Sequence, residues 1–223
     1  MKRLWRRLAP LLVKAVLYCY AFWIGSLVLF RWVTPPTTGV HLQRRVESWF
    51  RKGPYEKRFT PMPMAKISPH LRHAVVAGED THFYEHWGLD PGAMADAARD
   101  ATGARKRLRG ASTLTQQLIK NLFFTTHGNP VRKVVECTLA PIADYILGKE
   151  RILELYLNLI EWGPGVYGAE AAARYHYRAP AATLSREQAA RLAACVPAPR
   201  RRRPAAMNQY AAIIENRMSQ MGH

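Results

Sequence analysis

Hydrophobic and polar positions divide the chain into an apolar N-terminal stretch and a longer region with helical periodicity. Residues 15–30 contain no charged side chain, and the apolar stretch extends back to Leu8 if Lys14 is tolerated. At about 1.5 Å per residue, the stretch from Leu8 to Phe30 spans about 34 Å, enough to cross a bilayer. Lys14 lies near one end of the stretch, where its ammonium group can reach the interface. The pattern predicts one transmembrane helix.

The charges that flank this helix predict its orientation. Four basic residues precede it and only Arg31 follows closely; the four are Lys2, Arg3, Arg6 and Arg7. The positive-inside rule therefore places the N-terminus in the cytoplasm and the rest of the chain outside. A cleaved signal peptide is the alternative, but the apolar stretch is long and lacks a small-residue cleavage site. We expect residues 1–33 to form a cytoplasmic tail and an uncleaved anchor.

Beyond the anchor, a linker is predicted for residues 34–58, with a short helix at His41–Phe50. The remaining chain shows mostly helical periodicity and capping signals. Helices are predicted at Leu71–Glu85, from Ser112 through Leu122, at Val131–Leu147, at Arg151–Ile160, and from a capping box at Ser185 to about Ala194. Because strand-like alternation is scarce, the sequence predicts a mainly α domain on a membrane stalk.

Composition adds a constraint on partners. The 223 residues leave room for one domain and an appendage, and the formal net charge is +17. A charge this far from zero indicates an anionic partner such as nucleic acid, an acidic membrane surface or a phosphorylated substrate.

The stretch "AGEDTHFYEHWG" allows two interpretations. His82, Glu85 and His86 form H-x-x-E-H, an inverted zinc-protease signature whose two histidines would share a helix face. Alternatively, Glu79 and Asp80 are the acidic pair of an enzyme that needs no zinc. The sequence pattern alone leaves both open.

Several polar blocks follow this stretch. Residues 110–121 read G-A-S-T-L-T-Q-Q-L-I-K-N, a run too rich in hydroxyl groups for an ordinary helix surface. Arg132 and Glu136 are spaced as i, i+4 partners on a helix. A helix over residues 149–158 then leads into a glycine-rich loop over 161–168, which suits close backbone approach.

The order of these blocks resembles a known family. E-D-x-x-F-x-x-H-x-G from Glu79 to Gly88, G-x-S-T-L-T-Q-Q-L-x-K-N, R-K-x-x-E and the Y-L-N…G…G block occur in the order found in peptidoglycan glycosyltransferases of family 51. Among these the chain resembles the monofunctional biosynthetic transglycosylases, over roughly residues 60–200. The resemblance implies a mainly α, lysozyme-like glycosyltransferase domain, which we place at residues 59–223.

The resemblance also implies roles for individual residues. Glu79 matches the catalytic base, and Glu136 matches a second catalytic glutamate that orients the basic side chains and the donor. Lys120, Arg132 and Lys133 would supply positive charge to a leaving diphosphate. The remaining expected substrate-binding positions are Asp80, Phe83 and His86 around the base, and Ser112, Thr113, Gln116, Gln117 and Asn121 along the cleft.

The expected activity is polymerisation of lipid II, with inversion at the anomeric carbon and release of undecaprenyl diphosphate. No cofactor is implied as required and no metal ligand set is visible, although a divalent cation at the donor diphosphate stays open. His82 falls at a position that the family pattern leaves free, which weakens the zinc interpretation. The alternatives are a membrane-anchored hydrolase, either a muramidase or a zinc protease, and a non-enzymatic anchor or nucleic-acid-binding protein.

The expected partners are lipid II, the lipid-linked glycan chain, the membrane and other proteins of cell-wall synthesis or division, with no nucleic acid. The expected location is the bacterial inner membrane, with the catalytic domain in the periplasm. Two basic segments fit this setting. One contains Arg99, Arg105, Lys106, Arg107 and Arg109 and matches a membrane-dipping region of the family. The other, Arg200–Arg203, is expected either to contact lipid headgroups or to be solvated.

Overall fold

A computed structural model of the chain describes residues 2–50, 54–101 and 112–223. In these ranges the chain forms ten α-helices and three short strands. The elements are α1 (Lys2–Phe30), α2 (Gly39–Trp49), β1 (Arg58–Phe59), α3 (Pro69–Glu79), α4 (Pro91–Ala101), α5 (Leu114–Phe123), α6 (Pro130–Leu147), α7 (Lys149–Leu159), β2 (Glu161–Gly163), β3 (Val166–Tyr167), α8 (Ala169–Tyr177), α9 (Arg186–Ala193) and α10 (Asn208–Gln220). The mainly α fold class predicted from the sequence is confirmed.

The predicted apolar N-terminal helix is present as α1. Its residues Leu8–Phe30 have a mean hydropathy of 1.8 and are long enough to cross a membrane. The C-terminal half of α1 packs against the rest of the chain. Leu27 is fully buried, and the Trp23 ring lies 5.4 Å from the Phe124 ring. The Phe30 ring stacks 6.3 Å from Phe123. The anchor is therefore joined to the domain by direct side-chain packing.

The region predicted as a linker contains α2, which covers most of the short helix expected there. Thr38 caps this helix by accepting a hydrogen bond from the His41 amide at 3.2 Å. Gly39 lies against the backbone at the end of α5, where a Cβ atom would come within 2.5 Å of the Phe124 carbonyl oxygen. Inside the domain, the His41 ring donates through Nε2 to the Leu159 carbonyl at 2.9 Å. Residues 38–49 thus form part of the domain wall.

The hydrophobic core lies between two groups of helices. Helices α3, α9 and α10 pack together, as do α5, α6 and α7. Among the described residues, Trp162 and Tyr156 have the two largest fully buried side chains. A small sheet of order β1-β3-β2 joins the chain entering the domain to the glycine-rich loop, with β1 parallel and β2 antiparallel to β3. This framework places the C-terminal end of α3 beside the N-terminal start of α5.

Two predicted helix boundaries were wrong, and the structure gives the reasons. Helix α3 ends at Glu79 instead of Glu85, because the Asp80 carboxylate turns away to accept the Leu114 amide at 2.9 Å. The turns that follow α3 include Gly88, where φ is +76° and a Cβ atom would collide with the Ala140 carbonyl. Helix α5 begins one residue later than predicted, and its cap is Thr113 instead of Ser112. The capping box at Ser185 is confirmed as the start of α9.

Candidate active site

Glu79, the last residue of α3, lies at the centre of the candidate site. Its carboxylate oxygen Oε2 accepts a hydrogen bond from Gln117 Nε2 at 2.8 Å. Gln117 is on the first turn of α5, and the end of α3 and the start of α5 are held together by the bond from the Leu114 amide to Asp80. The structure therefore brings Glu79 and Gln117 together from positions far apart in the sequence.

The orientation of the Gln117 amide is set by a buried tyrosine. The fully buried Tyr156 hydroxyl donates to Gln117 Oε1 at 2.8 Å, so the amide nitrogen is the atom that faces Glu79. The backbone carbonyl of Gln117 accepts a further hydrogen bond from Asn121 Nδ2 at 2.8 Å. Tyr156 lies in the predicted Y-L-N block, but no sequence pattern indicates that its hydroxyl positions the amide beside the base.

Burial and neighbouring charges act in opposite directions on Glu79. Burial raises the pKa of its carboxyl above the ordinary value, outweighing the hydrogen bond from Gln117 and the positive charges of Lys120 and Arg202, which lower it. The Asp80 charge raises the pKa further. A carboxylate with a raised pKa is a stronger base than an exposed glutamate, which suits proton abstraction near neutral pH.

Lys120 lies one turn beyond Gln117 and faces a cavity. Both residues line this cavity of about 440 Å³, together with Asn121, Tyr156 and residues 196–201. Burial lowers the pKa of the Lys120 ammonium group, while the charges of Glu136 and Glu79 raise it. The ammonium group is thus a partly desolvated positive charge that interacts with both carboxylates, and an anion entering the cavity would meet it.

The predicted pair on α6 forms as expected. Arg132 Nε lies 2.8 Å from Glu136 Oε1, and Lys133 Nζ lies 3.5 Å from Glu136 Oε2. Neither Arg132 Nε nor Glu136 Oε1 has a hydrogen bond of good geometry, so both keep bonding capacity. Lys133 Nζ also donates to the Ser112 hydroxyl at 2.8 Å, which links α6 to the residue before α5. Glu136 is buried and aligns both cations.

Other expected substrate-binding residues lie in the interior. The Asp80 carboxylate accepts both the Leu114 amide and His86 Nε2, the latter at 3.1 Å. Thr113 and Gln116 form the reciprocal capping box of α5, and both side chains are buried. Phe83 is fully buried and lies under the Lys149 ammonium group at 4.8 Å. These contacts hold the end of α3 against α5 and so position the base.

The geometry on which the zinc interpretation depends is not present. Because α3 ends at Glu79, His82 and His86 lie in turns and do not share a helix face. His82 Nδ1 lies 3.2 Å from Asp90 Oδ2, whereas His86 is bonded to Asp80. Glu85 is exposed.

Three residues that line the cavity, Arg44, Glu161 and Arg200, were not expected there from the sequence. Arg44 on α2 donates through Nε to Glu161 Oε2 at 2.9 Å, and Arg200 Nη1 lies 3.4 Å from Glu47 Oε2. Burial raises the pKa of the Glu161 carboxyl, and the Arg44 charge opposes that rise. All except Glu47 line the 440 Å³ cavity. These contacts join residues more than 100 positions apart, and no local pattern marks them.

The structure describes all of one predicted basic segment and only part of the other. In the 200–203 run, Arg200 is ion-paired and Arg202 Nη1 donates to the Ala194 carbonyl at 2.7 Å, while Arg201 and Arg203 are exposed. Of the other segment, exposed Arg99 lies 3.6 Å from Asp96. Arg105, Lys106, Arg107 and Arg109 lie outside the described residues, so the prediction for them stays a prediction.

Comparisons with known proteins identify the family of the chain. The Transglycosylase family profile matches residues 45–221, which begins within α2. The chain is 44% identical over 216 residues to the biosynthetic peptidoglycan transglycosylase of Pseudomonas entomophila (strain L48), covering 95% of this chain and 91% of that protein. It is 46% identical over 211 residues to the protein of the same name in Pseudomonas putida (strain W619), covering 90% and 89%. The chain therefore belongs to the transglycosylase family and is a peptidoglycan glycosyltransferase.

Proposed function

We propose that this enzyme polymerises lipid II into glycan strands, with Glu79 as the base. The observation that carries the proposal is the Glu79 carboxylate held at 2.8 Å by Gln117, which lines the same cavity as Lys120. A base close to a fixed positive charge is what transfer of a sugar from a diphosphate requires.

The proposed step balances in protons and electrons. The 4-hydroxyl oxygen of the acceptor sugar forms a bond to the anomeric carbon of the lipid-linked chain. The bond from that carbon to the diphosphate oxygen breaks, and its electron pair leaves with undecaprenyl diphosphate. Glu79 takes the hydroxyl proton. Because attack and departure occur on opposite faces of the anomeric carbon, its configuration inverts.

The diphosphate needs positive charge as it leaves. Lys120 supplies it from the cavity wall, and Arg132 and Lys133 extend the positive region along α6. Glu136 holds both of these cations by ion pairs and so orients them. Assistance by a divalent cation remains a separate prediction, and comparing initial rates with and without added magnesium tests it.

The anchor sets the side of the membrane on which this chemistry occurs. Basic residues concentrated before the apolar span Leu8–Phe30 favour a cytoplasmic N-terminus and a periplasmic catalytic domain, where other proteins of cell-wall synthesis or division are expected partners. A periplasm-active reporter fused after residue 223 tests the orientation. An active reporter supports the proposal, and activity of a cytoplasm-only reporter overturns it.

Product analysis tests the proposed reaction. Labelled lipid II incubated with the full chain in detergent should yield polymer, free undecaprenyl diphosphate and a newly formed β linkage. A parallel incubation with finished peptidoglycan should release no soluble fragments. Fragments from peptidoglycan without polymer from lipid II would identify a muramidase and overturn the proposal.

A further inference from the structure

Helix α2 presents an apolar face to the outside of the domain. Leu42, Val46, Trp49 and Phe50 are 54, 45, 71 and 85% exposed. At 3.6 residues per turn these four positions occupy an arc of roughly 100° on one side of the helix and its last turn. They form one continuous stripe, which we name the α2 stripe.

The opposite side of α2 faces the domain. Val40 and His41 are buried, and Arg44 and Glu47 point inward to the cluster around Glu161. The helix is therefore amphipathic, with its largest apolar side chains facing outward. Scattered exposed apolar residues are ordinary, but an aligned stripe with two aromatic rings indicates a surface that binds something apolar.

The position of α2 is fixed relative to the membrane helix. Its first residue, Gly39, lies against the backbone of Phe124, and the Phe124 ring packs on Trp23 of α1. Trp23 precedes Phe30, the end of the apolar span, by seven residues or about 10 Å along the helix axis. The start of α2 is thus held at the depth of the last two turns of α1.

A second contact shows that the domain does not stand away from the bilayer. The hydroxyl groups of Tyr20 on α1 and Thr138 on α6 lie 2.5 Å apart. Tyr20 is ten residues, or about 15 Å, before the end of the apolar span. Both contacts lie within the apolar span, so the side of the domain that packs on α1, including the start of α2, lies at the level of the bilayer.

We propose that α2 is an interfacial helix whose stripe inserts into an anionic phospholipid surface. Arg45, exposed beside the stripe, suits the anionic headgroups, as does the net charge of +17. Trp32, just after α1, is 71% exposed, and tryptophan is a typical residue of the membrane interface.

This placement bears on the catalytic cavity. Val40 and Arg44 of α2 line the cavity that contains Lys120, so the helix separates the cavity from the lipid. A helix is about 10 Å across. The α2 stripe therefore holds the cavity within one helix diameter of the headgroups, where a lipid-linked diphosphate would reside; this consequence rests on the proposed function.

Spin labelling tests the insertion directly. In full chain with Cys19, Cys137 and Cys195 replaced by alanine, a nitroxide is attached to Val46→Cys or, as control, to Gln209→Cys on the exposed face of α10. In vesicles containing phosphatidylglycerol, the label at position 46 should be several-fold more accessible to oxygen than to a water-soluble nickel complex. Equal accessibility at positions 46 and 209, or spin–spin broadening that indicates a second copy on the stripe, would overturn the proposal.

Activity gives a separate readout. The double substitution Val46→Glu with Trp49→Glu should lower the rate on lipid II in vesicles about tenfold, because two inserted apolar side chains are lost. In detergent micelles the rate should stay within about twofold of wild type, because no bilayer surface has to be bound. Equal rates for variant and wild type in vesicles would contradict the proposal. If the wild type makes no polymer, the proposed function fails, whereas the spin-label result still stands on its own.

Discussion

Replacing Tyr156 by phenylalanine tests how the base is positioned. The buried Tyr156 hydroxyl donates to Gln117 Oε1 at 2.8 Å, and this bond makes Gln117 Nε2 face the Glu79 carboxylate, also at 2.8 Å. Tyr156→Phe removes one oxygen atom and keeps the ring that fills the core. The Gln117 amide then loses the contact that distinguishes its oxygen from its nitrogen.

The size of the effect follows from these two bonds. Leaving Gln117 Oε1 without its buried donor should lower the free energy of unfolding by about 1–3 kcal/mol. Losing the oriented bond to the Glu79 carboxylate should cost a further part of the 1.5–3 kcal/mol typical of a hydrogen bond to a charged group. If about 1.4 kcal/mol of it is lost in the transition state, kcat falls about tenfold.

The pH dependence distinguishes positioning from simple destabilisation. The bond from Gln117 lowers the pKa of Glu79, so its loss should move the acid limb of the rate profile to higher pH. Tyr177→Phe is the matched control, because the half-buried Tyr177 hydroxyl donates to the Gln188 carbonyl at 3.2 Å on the α8–α9 side of the domain. Initial rates from pH 5 to 8 and urea unfolding of both variants provide the comparison. If Tyr156→Phe matches Tyr177→Phe in kcat and leaves the acid limb unmoved, the positioning argument is refuted.

Three further substitutions test other parts of the account. Lys120→Ala should lower kcat/KM for lipid II by about 10²–10³, since a fixed charge at the leaving group is lost; a rate within twofold of wild type would argue against this role. Glu79→Gln should be more stable than wild type at pH 7 by urea unfolding. Burial raises the folded-state pKa of the Glu79 carboxyl, so the wild type loses stability as pH rises from the unfolded-state pKa through the folded-state pKa; equal stability at pH 7 would contradict the burial argument. Gly88→Ala should lower the unfolding free energy by about 1–3 kcal/mol through its positive φ and collision with Ala140, whereas Gly128→Ala, with open space around it, should not.

Local signals in the sequence explain which helices could be predicted. The starts of α6 and α9 are set by residues that adjoin them, Asn129 before Pro130 and the Ser185–Gln188 capping box. The end of α3 has a cause elsewhere, because Asp80 leaves the helix to bind the Leu114 amide 34 positions later. Helical periodicity continued past Glu79 in the sequence and gave no sign of this long-range bond.

The residues of the candidate site also fall into two groups: those that local motifs predict and those that only long-range contacts reveal. Glu79, Gln117, Lys120 and Glu136 were expected at the site from motifs whose residues are close in sequence, and the structure brings them together around the cavity or beside it. The Arg44–Glu161 pair joins positions 117 residues apart, and Arg44 lies in the segment that was predicted to be a linker. Only tertiary packing of α2 on α5 reveals that this segment forms one wall of the cavity.

The rate of glycan polymerisation by Glu79→Gln tests the central claim most directly. The substitution keeps the shape of the side chain and an oxygen that can accept from Gln117, but it removes the base. Glu187→Gln, at an exposed ion pair on α9, is the matched control. With labelled lipid II, the account predicts no detectable polymer from folded Glu79→Gln and wild-type rates from Glu187→Gln. Polymer formed at the wild-type rate by Glu79→Gln would contradict it.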